Sequence, residues 1–95
     1  PNFAIWGLKG SRVMMTDNEV AGWRHALHST EGHVIAKRNS ATKFHRAVFV
    51  IEKPASDPII SENKGTTASP SDHVCLIDST PSREEANRLI RSDQP

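Results

Sequence analysis

The chain of 95 residues carries 12 Lys/Arg against 11 Asp/Glu, a net charge of +1, with five histidines and one cysteine. That length makes one domain, 1–95, around a single modest core, and with so even a charge the chain taken whole is no obvious nucleic-acid or membrane binder. No apolar run is long enough for a transmembrane helix, so no membrane partner is expected, and a lone cysteine forms no intrachain disulfide, which favours a reducing intracellular compartment.

Residues 2–8, NFAIWGL, have the composition of a first strand. Lys9-Gly10-Ser11 reads as a turn into a short second strand running from Arg12 to Met15. Thr16-Asp17-Asn18-Glu19 has the form of a capping box, with Met15 and Val20 placed as a hydrophobic staple. Val20, Trp23 and Leu27 follow at i, i+3 and i+7, which predicts a first helix that stops at Gly32.

Residues 33–53 are the centre of the expected fold. Two strand-like runs, HVIAKR and HRAVFVIEK, flank the polar stretch Asn39-Ser40-Ala41-Thr42 and predict a β-hairpin. Ala47 to Ile51 is the longest apolar run in the chain and reads as a strand buried on both sides. The same stretch holds five Lys/Arg and one Glu, a net of +4 that leaves the other 74 residues at −3. Pro54 ends the second strand. Residues 54–72 are rich in Pro, Ser, Thr and Gly and are expected to form a long mobile loop. A strand over 73–78 and a second helix complete the chain. The helix starts at Thr80-Pro81, or at the capping box of Ser82 and Glu85, and buries Ala86, Leu89 and Ile90. Residues 92–95 are read as a frayed end. The order ββα-ββ-loop-βα predicts an α+β fold, a small single-domain two-layer sandwich. Its mainly antiparallel four- to five-stranded sheet carries two helices on one face.

Three side-chain groupings bear on chemistry. His25, His28 and His33, with Glu31, are short of a standard zinc spacing, and exposed helix histidines are the expectation. Asp72, His73 and Cys75 hold the residue types of a thiol nucleophile, yet nothing nearby activates the thiol, and Cys75 reads as a small buried hydrophobe. Pro1 followed by NFAIWG resembles the amino terminus of the tautomerase superfamily. That resemblance implies Pro1 as general base or acid, with Arg12 or Arg46 binding a substrate carboxylate. No downstream motif of that superfamily is present.

The basic hairpin carries the main functional expectation. A non-enzymatic domain is expected to bind nucleic acid, RNA in particular, through Lys37, Arg38, Lys43, Arg46 and Arg12. The alternative is a protein-interaction domain acting through a sheet edge or through the loop 54–72. An enzyme using the N-terminal proline ranks third, and neither a cofactor nor a metal is expected.

Overall fold

The computed structural model describes residues 2–92. It is a parallel β-solenoid, with no helix among the described residues. Twelve strands follow one another: β1 (Phe3–Gly7), β2 (Arg12–Thr16), β3 (Glu19–Ala21), β4 (His25–Thr30), β5 (His33–Lys37), β6 (Ser40–Thr42), β7 (Ala47–Glu52), β8 (Ile59–Ser61), β9 (Lys64–Thr67), β10 (His73–Ile77), β11 (Thr80–Pro81) and β12 (Arg88–Arg91). Each of the first three circuits lays one strand on each of three faces, and the fourth gives β10 and β11 to the first face and β12 to the third. The first face is β1-β4-β7-β10-β11, the second β2-β5-β8, the third β12-β9-β6-β3. All neighbours pair in parallel except β10 and β11, which form an antiparallel turn-back.

The expected α+β sandwich is therefore corrected throughout. Thr16 ends β2 and Glu19 starts β3, so the capping box lies across a corner between faces. Val20 lies in β3, Trp23 in the next corner and Leu27 in β4. A three-residue strand contributes one inward side chain, and corners separate successive strands. That mixture spaces apolar residues three and four apart, which is the spacing of a helix. The second helix fails for the same reason: Thr80-Pro81 form β11 and Leu89 and Ile90 belong to β12. Nor is 33–53 a hairpin, since β5, β6 and β7 lie on three different faces and pair with other circuits. The stretch 54–72 contains β8 and β9.

The core is a set of columns, one residue per circuit. Ile5, Leu27, Phe49 and Cys75 align on the first face. Met15, Ala36 and Ile60 align on the second, and Val20, Ala41, Gly65 and Leu89 on the third. Adjacent residues Ala26 and Leu27, Val48 and Phe49, and Val74 and Cys75 are all buried. The pairing register skips Val74 opposite Val48, consistent with a kink that turns both neighbours inward. The apolar run of β7 thus serves one core, while Val50 on the far side stays half-buried. Gly65 is small because Val48 and Phe44 crowd it. A Cβ there would stand 3.1 Å from Val48 Cγ2 and 3.2 Å from Phe44 Cζ.

The corner between the second and third faces is held by a ladder of asparagines. Asn18, Asn39, Asn63 and Asn87 each follow the corner in successive circuits. The Asn39 Oδ1 accepts from the backbone N–H and Nδ2 of Asn18, both at 3.0 Å. Asn63 Oδ1 accepts from the N–H and Nδ2 of Asn39 at 2.9 Å. Asn87 Oδ1 accepts from the N–H and Nδ2 of Asn63 at 3.0 and 2.8 Å. The Nδ2 groups of Asn39, Asn63 and Asn87 also donate to the carbonyls of Met15, Ala36 and Ile60. Corner amides that no strand partner reaches are thereby satisfied inside the protein. Just before the ladder, Asp17, Arg38 and Glu62 have φ of 57°, 57° and 61°. That left-handed step makes the sharp corner, at a cost that the ladder offsets.

Candidate functional site

Six strands lie at the edges of the three sheets: β1, β11, β2, β8, β3 and β12. An open edge invites pairing with another chain, and proteins ordinarily blunt it with charge, proline or a covering segment. Five of the six are blunted. Arg12 lies on β2, Glu19 on β3, and Arg88 and Arg91 on β12. Pro81 sits on β11, where it removes a ladder donor. On β8, Asn87 Nδ2 donates to the Ile60 carbonyl, and just beyond the strand the Ala86 carbonyl accepts the Glu62 N–H. The remaining edge, β1, reads FAIWG and has none of these devices among the described residues.

The surroundings of β1 are apolar. The exposed large hydrophobic residues are Ile5, Trp6, Leu8, Met14, Trp23 and Ile59, and all but Ile59 belong to the first circuit. Ile5 decides what kind of exposure this is. It stands in the core column of Leu27, Phe49 and Cys75, yet it is 36% exposed while those three are at 0%. The core thus opens to solvent at this end. Trp6, 64% exposed, lies on the outer side of the same strand.

An aromatic stack supports β1 from the second circuit. Phe3 packs against His28 at a ring separation of 4.6 Å and against His25 at 5.5 Å, with Trp6 edge-on to Phe3 at 6.0 Å. His25 is buried, and its Nδ1 lies 2.9 Å from the Ala47 carbonyl, placing the N–H on that nitrogen. Burial pushes the His25 pKa below 6.5, against the pull of that carbonyl and helped by His28, Arg24 and His45. His28 Nε2 lies 3.4 Å from Glu52 Oε1. The strand backbone is therefore anchored by its neighbour while its own outer edge is open.

The five cations expected to bind nucleic acid are distributed over the solenoid. Arg12 begins β2 and Lys37 ends β5, at opposite ends of the second face. Arg38 occupies the asparagine corner, where it makes a bidentate pair with Asp17 at 2.8 and 3.1 Å and lies 3.7 Å from Glu62. The Arg38 hydrogen bond holds the Asp17 carboxyl below its usual range. Lys43 and Arg46 flank the corner between β6 and β7, and the Arg46 backbone N–H donates to Asp72 Oδ1. The basic hairpin that grouped them is absent. Pro1 lies outside the described residues.

The remaining groupings separate likewise. Asp72 accepts from Arg46 N–H and from Thr67 Oγ1, His73 turns Nδ1 to Glu84 at 3.3 Å, and Cys75 is fully buried. Burial pushes the Cys75 thiol up to about 12, well away from a nucleophile. His33 lies on the second face and bonds Ser56 Oγ at 2.7 Å, apart from the stacked His25 and His28. Among the described residues no cluster of three His, Cys, Asp or Glu is placed to hold a metal ion, and no helix is long and apolar enough to cross a membrane. The β1 edge was visible in sequence only as a strand without charge; its outer position depends on the circuit. Comparison with protein-family models, curated proteins and solved structures finds no match.

Proposed function

We propose that this chain is a non-enzymatic protein-interaction module that docks a partner by strand addition at β1. One observation carries the reading: among the described residues β1 is the single edge with neither charge, proline nor a bonded neighbour, and the core column ends there at a half-open Ile5. Strand addition supplies affinity through main-chain hydrogen bonds and specificity through alternate side chains. Trp6 and Leu8 add apolar area at the rim of that edge, and such patches mark interaction sites.

The test uses a synthetic strand peptide of alternating valine and threonine as probe. Titration is followed by amide hydrogen exchange. The expected result is slowed exchange across Phe3–Gly7 and a shift of Trp6 emission, both abolished by Ile5→Lys. Exchange unchanged at β1 at saturating peptide, or slowed at β12 instead, would refute the reading.

A further inference from the structure

Resting on the reading of β1 as a docking edge, we propose that its occupant is a second copy of this chain, bound first circuit to first circuit about a two-fold axis. A two-fold lying in the plane of the circuit reverses the direction of winding, so β1 meets its own copy antiparallel. Centred on Ile5, that register sets Phe3 against Gly7 of the second copy, and Trp6 against Ala4. Each large side chain faces a small one, and Ile5 meets Ile5. Shifting the register by one residue sets Phe3 against Trp6 or Trp6 against Ile5 and loses this fit. The same axis lays the second face over the third face of the other copy. Arg12 on β2 then approaches the strand that carries Glu19, twice over by symmetry.

The two ends of the solenoid differ in a way that favours this closed arrangement. Head-to-tail stacking would need an open last circuit, but β11 turns back beside β10 with Pro81 on its edge, and Asn87 Nδ2 occupies the Ile60 carbonyl of β8. An isologous contact uses the open end twice and closes, whereas a heterologous one propagates. The area is sufficient. A body of 41 × 28 × 24 Å offers an end face of roughly 500 to 900 Å² per copy, against about 800 Å² per partner in a standard interface.

Sedimentation equilibrium from micromolar to millimolar protein tests the association, and Ile5→Cys tests the register. Opposed residues of an antiparallel pair have Cβ atoms about 4.5–5.5 Å apart, close to disulfide reach. Cys75 is buried and does not compete. The expected result is a mass rising to twice that of the chain, rapid oxidation of Ile5→Cys to a covalent dimer, and a monomer for Trp6→Lys with unchanged circular dichroism. Should Ile5→Cys not fold, the Ala4→Cys/Trp6→Cys double variant reports the same register. A dimer that neither cysteine variant cross-links uses another surface and overturns the proposal. A monomer throughout also overturns it. The strand peptide then separates the two ideas: protection of β1 leaves the docking edge standing with a different occupant, and its absence removes both.

Discussion

Asn63 sits in the middle of the ladder with four side-chain hydrogen bonds, and Asn63→Ala is the clearest test of how the solenoid is held. The side chain is 1% exposed. Its Oδ1 accepts the Asn39 N–H, and its Nδ2 donates to the Ala36 carbonyl. Removing it strips these partners from two buried backbone groups. Asn87 Oδ1 keeps the Asn63 N–H, and Asn39 Nδ2 keeps the Met15 carbonyl, so the damage is confined to those two. At about 1–3 kcal/mol for each unsatisfied group, the expected loss is about 2–6 kcal/mol. With a urea slope of about 2 kcal/mol/M, a loss near the middle of that range moves the midpoint by about 2 M. Asn18→Ala is the control. Asn18 is exposed, and Asn39 Oδ1 retains the Asn18 N–H, so about 1 kcal/mol or less is expected. Equal midpoint shifts for the two variants would show that the ladder's buried bonds are not what holds the corner.

The His25 pKa, depressed by burial, makes a pH prediction. The unfolded chain takes up the proton first, so stability is fully present above 6.5 and is lost as pH falls below it; His25→Phe should flatten that slope in chemical denaturation. Cys75 should resist a disulfide reagent at pH 8 in the native state and react at the rate of global opening, as followed by absorbance. Gly32→Ala should lower the melting temperature by calorimetry, since its Cβ would stand 2.9 Å from the Ser11 carbonyl oxygen, at a cost of about 1–3 kcal/mol. Trp23→Ala should cost far less than the roughly 3–5 kcal/mol of a buried tryptophan, because Trp23 is 37% exposed in a corner.

The strands at residues 3–7, 12–16, 33–37, 47–52 and 73–77 fall within or close to apolar runs that are legible in the sequence. Their partners were not legible. Local signals favour the nearest strand, whereas here every strand but β11 pairs with one on the next circuit, 21 to 26 residues away. The capping box at Thr16 shows the ambiguity plainly. Thr-Asp-Asn-Glu suits a helix start because its polar side chains bond nearby amides. Asn18 does bond amides, but across circuits, with Asn39 at a separation of 21 residues.

A repeat was nonetheless present. Four of the five asparagines fall at intervals of 21, 24 and 24 residues. All four are followed two positions on by the residues of one core column, Val20, Ala41, Gly65 and Leu89. Periods of that length are the mark of a solenoid. Reading the chain as strands wound at that period makes Arg38 a corner residue between Asp17 and Glu62, because all three stand one position before a ladder asparagine. A cation flanked above and below by carboxylates is part of the corner's own electrostatics. The +4 balance of residues 33–53 arises because that window cuts across three faces, and for Arg38 the carboxylates of Asp17 and Glu62 lie one circuit away on either side. The uncharged run at β1 needs the same winding to be understood: its lack of charge becomes informative once it is placed at an edge, where charge would ordinarily stand guard.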